Sequence, residues 1–204
     1  MLLYNIIMRK LVVLTFVSLD GIMQAPGGKG EDPSGGFQLE GWTVPYFDEE
    51  LGNEMGKQMG QPFDLLLGRK TYEIFASYWP HQGEDNPINT AKKYVVSNRA
   101  INTDWKETIP IKGDVAAEIR KLKQQDGPML QVHGSSNLIQ TLLANDLVDE
   151  LWLKIFPVTL GKGKRLFGKG TIPEAWKLSE STVSPGGVII VSYQRDGELR
   201  VGSF

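Results

Sequence analysis

Six runs rich in aliphatic, β-branched or aromatic residues recur along the chain, at 11–17, 63–67, 93–97, 129–133, 151–156 and 188–193. The first of them, Leu-Val-Val-Leu-Thr-Phe-Val, shows almost no polar alternation, as expected of a central strand covered on both faces. Between several runs the apolar spacing lengthens to that of a helix. Pro45 reads as the first position of one such helix, with Asp48, Glu49 and Glu50 in its opening turn and Phe47, Leu51, Met55 and Met59 four apart on one face. A second helix is predicted from an Asp114 cap through Gln124, with Val115, Ile119 and Leu122 inward. A third opens at Ser135 or Ser136 and carries Leu138, Ile139, Leu142 and Leu143. Strands alternating with helices predict an α/β fold and not a sandwich.

Gly- and Pro-rich stretches fall at 26–36, 83–87, 157–173 and 184–187. Ser184-Pro185-Gly186-Gly187 lies between two strand-like runs and reads as a hairpin turn, so the C-terminal strand is expected to run antiparallel. The stretch at 26–36 reads as a mobile loop after the first strand, close to where an active site would be shut off from solvent. Neither a repeat nor a linker divides the 204 residues. A single domain spanning 1–204 is therefore expected, with 1–7 as an extension, since the chain from Met8 already makes a coherent start.

Composition narrows the function. With 41% hydrophobic and 23% charged residues the chain is of ordinary globular make-up. A net charge of -2 and the lack of any basic block argue against a nucleic-acid partner. The apolar N-terminus is short and soon charged, at Arg9 and Lys10, so neither a signal peptide nor a membrane span is expected, and the reading is cytoplasmic. With no cysteine, disulfides, thiolate catalysis and cysteine-ligated zinc are excluded, and His81 and His133 do not read as a metal site. Redox chemistry would need a borrowed organic cofactor.

Two strand-to-helix junctions carry candidate chemistry. In Phe63-Asp64-Leu65-Leu66-Leu67-Gly68-Arg69-Lys70-Thr71, a strand gives way through Gly68 to a helix start bearing two cations and a hydroxyl, which suits a phosphate. Met129-Leu130-Gln131-Val132-His133-Gly134-Ser135-Ser136-Asn137 repeats the design with small donors, which suits a pyrophosphate. Each junction is open to a blander reading, as a plain N-cap with solvated cations, and His133 reads as a satisfied core histidine. Taken together, two anion sites imply a dinucleotide. Ser97-Asn98-Arg99, at a third strand end, could hold a ribose 2′-phosphate and so favour NADPH over NADH. Gly163 to Gly170 imitates a triphosphate-binding loop, but Gly170 stands where the magnesium-binding hydroxyl belongs and Pro173 follows where a helix should run.

In this order, together with Ser18-Leu19-Asp20-Gly21 and Pro157-Val158-Thr159-Leu160-Gly161-Lys162-Gly163-Lys164-Arg165-Leu166-Phe167, these elements resemble the dihydrofolate reductase-like superfamily. The resemblance spans Met8 to Tyr193 and is nearest the branch of the C-terminal reductase domain of the bifunctional riboflavin-biosynthesis deaminase-reductase and its stand-alone relatives. It implies a mixed, mostly parallel eight-stranded sheet with an antiparallel C-terminal strand and helices on both faces. NADPH would lie across the strand ends, with Arg69, Lys70 and Thr71 on phosphates, Ser97 and Arg99 toward the adenosine end, and Gly134, Ser135, Ser136 and Asn137 on the pyrophosphate. Residues 20–23 would face the nicotinamide, and the glycine-rich run at 161–170 would be a loop. The implied reaction is hydride transfer to a C=N or C=O carbon of a small pterin- or pyrimidine-like substrate. A homodimer is implied too, and the polar tail from Arg195 is a candidate for its contact.

Two departures bound that inference. True dihydrofolate reductases carry W-x-x-P-x-[DE] so that a carboxylate binds the pterin, whereas Trp42-Thr43-Val44-Pro45-Tyr46-Phe47 has Phe47 in the acid's place. Asp48 comes one residue late, a rotation of about 100° on a helix. The deaminase motifs H-x-E and P-C-x-x-C are also missing. Trp42, Tyr46 and Phe47, with Phe37, could stack on a flat substrate, although an aromatic cluster more often forms core. Asp20 and Asp48 are the side chains available as proton source. A nucleotide-binding relative without turnover, and a flavin-binding module, remain as alternatives on these residues.

Overall fold

Strand β1, Leu11–Ser18, is central because nearly every one of its side chains is buried. The computed structural model describes residues 8–203, so the proposed extension at 1–7 lies outside the described residues. Seven further strands join β1: β2 Phe63–Gly68, β3 Lys93–Val96, β4 Thr108–Ile111, β5 Met129–Gly134, β6 Glu150–Phe156, β7 Trp176–Val183 and β8 Ile189–Arg195. They form one sheet in the order β4-β3-β2-β5-β1-β6-β8-β7. The first six of that order are mutually parallel, and β8 runs antiparallel to both β6 and β7. The sheet is the mixed, mostly parallel one that the resemblance implies.

The helices are α1 Glu49–Met59, α2 Arg69–Tyr78, the single turn α3 Pro87–Thr90, α4 Val115–Lys123 and α5 Ser136–Ala144. Alternation along the strands assigns them to two faces. Leu11, Val13 and Val17 join Leu66, Leu130, Val132, Leu151 and Leu153 under Ile119 of α4 and Leu138, Ile139 and Leu142 of α5. On the opposite face Leu65 and Leu67 pack with Tyr72 of α2, while Phe156 packs with Leu51 of α1 and the loop residues Ile22, Phe37 and Trp42.

Two elements differ from the sequence reading. Pro45 does not open α1: residues 44–46 make a separate 3-10 turn, Phe47 is extended, and the helix starts at Glu49. Asp48 sets that start, because its side chain accepts from Leu51 N and so occupies the N-cap. Strand β4 escaped detection because it is four residues long, lies at the sheet edge and contains Pro110, a residue that edges tolerate. The hairpin at Ser184 to Gly187 forms as expected, closed by Gly187 N donating to Ser184 O at 2.8 Å, with Gly187 at φ +82°.

Candidate active site

Three parallel strands end side by side. Val96 of β3 pairs with Gly68 of β2, and Leu67 of β2 pairs with Gly134 of β5. Gly68, Ser97 and Gly134 therefore stand at neighbouring C-terminal strand ends, the edge at which open α/β sheets hold ligands. The β2 and β5 turns are pressed together: a Cβ on Gly68 would lie 2.3 Å from Ser135 Oγ, and one on Gly134 would lie 2.6 Å from Thr71 Oγ1. Only glycine fits at either place, and Gly134 also sits at φ +155° next to the cis peptide to Ser135.

The helices that follow these turns start unlike the other two long ones. Asp48 caps α1 by accepting from Leu51 N at 2.9 Å, and Asp114 caps α4 by accepting from Ala117 N at 3.1 Å. Gly68 and Ser135 hold the N-cap positions of α2 and α5 and make no side-chain capping bond. Two positive dipole ends with uncapped amides thus stand together, as an anion site requires.

Both starts open on a cleft of about 850 Å³, within the usual size of small-molecule sites. The sheet supplies its floor through Leu14 and Phe16 of β1, His133 of β5 and Lys154 of β6. Met55 and Gln58 of α1 form one wall, Lys70, Thr71, Ile74 and Phe75 of α2 the other, and residues 23–32 roof it. A second cleft of about 980 Å³ lies on the other side of α2, but Glu73, Glu84, Asp85, Asp104 and Glu107 line it against Lys106 and His81. Five carboxylates would repel a polyphosphate, so size does not decide between the two.

The roof is tied down by its own carboxylates instead of hanging free. Glu31 accepts from Gly27 N at 2.6 Å and Gly28 N at 3.3 Å, and Glu40 accepts from Gly30 N at 2.9 Å and Asp32 N at 2.8 Å. Lys164 Nζ reaches Asp32 at 2.5 Å from the glycine-rich stretch at 157–173. No helix follows Gly170, so that stretch lacks the helix start a triphosphate loop needs. Burial raises the Glu31 pKa above the ordinary carboxylate value.

Of the residues expected to hold cofactor, Lys70, Thr71, Gly134, Ser135 and Ser136 line the cleft. Gly68 is buried behind them. Arg69 does not line the cleft, and its guanidinium lies 2.6 Å from Glu73. Ser97 Oγ accepts from Arg99 N at 3.0 Å and donates to Arg99 O at 2.9 Å, folding a small turn whose Asn98 and Arg99 are exposed, as is Asn137.

The expected substrate residues separate. Phe47 lines the cleft and is 48% exposed. Trp42 is buried core: its indole packs edge-on to Phe156 at 5.4 Å and its Nε1 donates to Gln24 O at 2.8 Å. Tyr46 packs on the same Phe156, at 6.2 Å.

Neither expected proton source lines the cleft. Asp20 accepts from Ser18 Oγ at 2.6 Å, Leu160 N at 3.0 Å and Gly161 N at 2.7 Å, tying the end of β1 to the loop after β6. Those bonds, with Ser18 foremost, hold its pKa at about 2. Asp48 divides its oxygens between Leu51 N and Gly186 N, and both bonds lower its pKa. Ionised carboxylates committed to backbone amides are structural ties and poor acids.

Sequence reasoning missed Lys154, Gln58 and the true setting of His133. The signal was a lone cation inside the apolar run Leu-Trp-Leu-Lys-Ile-Phe. Lys154 is fully buried and donates to Gln58 Oε1. His133 is half-buried in the cleft floor, with Nε2 3.3 Å from Gln131 Oε1 and its ring 5.6 Å from that of Phe75. Burial, and then the charge of Lys154, lowers its pKa to about 3, so its imidazole is neutral.

A family model described as the RibD C-terminal domain matches residues 9–190. The chain belongs to the RibD C-terminal domain family. A relative within reach by sequence is the uncharacterized protein YyaP of Bacillus subtilis (strain 168), 27% identical over 200 residues, which are 95% of this chain and 98% of that one. Among solved structures, a putative riboflavin biosynthesis protein from Shewanella sp. PV-4 superposes with a TM-score of 0.67 at 23% identity, covering 92% of this chain and 99% of that one. The dihydrofolate reductase of Enterococcus faecalis, complexed with NADP(H) and RAB-propyl, superposes with a TM-score of 0.58 at 15% identity, covering 92% and 96%. These likenesses establish the dihydrofolate reductase-like fold, and the RibD C-terminal domain family and that fold are those of reductases. Among the described residues no helix is long and apolar enough to cross a membrane, and no cluster of three or more histidine or carboxylate groups is set to bind a metal.

Proposed function

We propose that this protein is an NADPH-dependent reductase that delivers hydride to a C=N or C=O carbon of a small, flat heteroaromatic substrate bound in the cleft between α1 and α2. The uncapped starts of α2 and α5, side by side at the ends of β2 and β5, carry this reading. Their amides and the Lys70 ammonium suit the phosphates of a dinucleotide, with Thr71, Ser135 and Ser136 adding hydroxyl donors. The turn at Ser97, with Asn98 and Arg99 exposed, suits the phosphorylated adenosine end, together with Arg69 and Asn137 from the first turns of α2 and α5. The bound nicotinamide supplies the hydride.

The chain's own residues supply position and dryness. Phe16, Phe47 and Phe75 offer aromatic faces to a flat ring. The roof at 23–32 keeps water from the reacting carbon, and its pins to Glu40 and Lys164 hold it there. The experiment is direct: purified protein with NADPH is given pterins, pyrimidinones and aminopyrimidinones in turn, and loss of NADPH absorbance is followed. Turnover of one class supports the reading; NADPH binding with no turnover across the panel favours a non-catalytic relative.

A further inference from the structure

The cleft floor holds a cation in the kind of pocket where dihydrofolate reductases use an anion. Phe47 stands where their pterin-binding acid belongs and Asp48 is spent on Leu51 N and Gly186 N, so α1 gives the cleft no free carboxylate in the acid's stead. Lys154 comes up from β6 instead. It is fully buried, lines the cleft, and makes no ion pair among the described residues; its single hydrogen bond is to Gln58 Oε1. An ammonium has three donors, so this one keeps unused hydrogen-bonding capacity beside the cleft.

Burying an unpaired lysine costs several kcal/mol, and packing alone does not explain its retention where Met would fill the space. The groups facing it do not neutralise it. His133 of β5 is neutral, Gln58 of α1 is an amide, and Glu54 of α1, whose charge reaches it, is paired with Lys57. In the roof, Asp32 is taken by Lys164 and Glu31 by the amides of Gly27 and Gly28. The cleft lining as a whole carries Lys29, Lys70, Lys154 and Lys164 against Glu31 and Asp32. A protonated, cationic heterocycle meets net repulsion there, and an uncharged or anionic ring bearing an oxygen meets a donor.

We propose that Lys154 binds the oxygen of the substrate's reacting carbonyl and gives it a proton, so that the substrates of this reductase are uncharged or anionic carbonyl heterocycles and not cationic ones. This rests on the reductase reading above. In the step, the carbonyl carbon gains a hydride from reduced nicotinamide, the π pair moves to oxygen, and the Nζ–H bond breaks to protonate that oxygen. An alcohol and oxidised nicotinamide result, and the neutral amine regains its proton from solvent. Burial lowers the Lys154 pKa to about 7, which suits that exchange near neutral pH.

The first test needs no cofactor. The protein is incubated at pH 7 with salicylaldehyde and cyanoborohydride, and the modified lysines are mapped by mass spectrometry. An amine that is half neutral at pH 7 and reached by a flat carbonyl compound forms and keeps the imine faster than exposed lysines do, by about tenfold or more. Labelling of Lys154 ahead of the exposed lysines supports the proposal; labelling of exposed lysines with Lys154 untouched overturns it. The second test compares Lys154→Met with the parent. The variant is expected to hold NADPH within about twofold and to lose about 10²-fold or more in turnover of a carbonyl substrate. Full turnover in the variant overturns the proposal and leaves the reductase reading standing, whereas a parent protein that labels at Lys154 but binds no NADPH overturns the reductase reading and the proton transfer with it.

Discussion

A Cβ built on Gly134 would lie 2.6 Å from Thr71 Oγ1, so the end of β5 and the first turn of α2 are locked against each other by the absence of one side chain. Gly134→Ala forces that contact and a positive φ at once. It is expected to cost about 1–3 kcal/mol in chemical unfolding and to lower NADPH affinity by spreading the two helix starts. Unchanged affinity in the folded variant would separate this turn from the nucleotide.

Asp114 and Ser135 hold equivalent N-cap positions with opposite consequences. Asp114→Ala removes a capping bond to Ala117 N and should cost about 1 kcal/mol of stability with no effect on the cleft. Ser135→Ala removes no capping bond, so its stability should stay within about 0.5 kcal/mol, while NADPH affinity falls. Urea melts and NADPH fluorescence titrations on both variants read the contrast.

Arg69 and Lys70 are adjacent but differently placed. Lys70 lines the cleft, and Lys70→Ala is expected to weaken NADPH by about tenfold, the range of a charge-assisted hydrogen bond. Arg69 lies outside the cleft lining and is engaged with Glu73, so Arg69→Ala should weaken it less. Isothermal titration of the two variants ranks them.

Two groups set opposite pH dependences. Asp20 has a folded pKa of about 2 against an ordinary 3.8, so its tie stabilises above pH 3.8 and is lost as pH falls toward 2. Asp20→Asn should flatten the melting temperature across that window. Lys154 has a folded pKa of about 7 against an ordinary 10.5, so the folded state is penalised progressively as pH falls from 10.5 to 7. Lys154→Met should therefore raise the neutral melting temperature and remove that slope.

Much of the frame is legible in the sequence because β1, β2, β5 and β6 are largely buried and so read as mainly apolar runs, each of the last three interrupted by one or two polar residues. The glycine junctions are legible because Gly68 and Gly134 leave no alternative to a close approach. What could not be read depends on contacts distant in the chain. Asp20 and Asp48 look like free acids until the backbone amides of Leu160, Gly161 and Gly186 are brought to them. Trp42 looks like a stacking platform until Phe156 covers it. Lys154 stands opposite Phe16 and Ile190 in the sheet, and only that pairing shows that its charge is buried beside a cleft.

The joined starts of α2 and α5 are the proposed NADPH site, and calorimetric titration of the purified protein with NADPH tests that assignment. One site per chain is predicted, with a Kd of about 10 μM, or about -7 kcal/mol, and with markedly weaker binding of NADH. No binding heat at millimolar NADPH, or equal affinity for NADPH in the Lys70→Ala and Gly134→Ala variants, would contradict it.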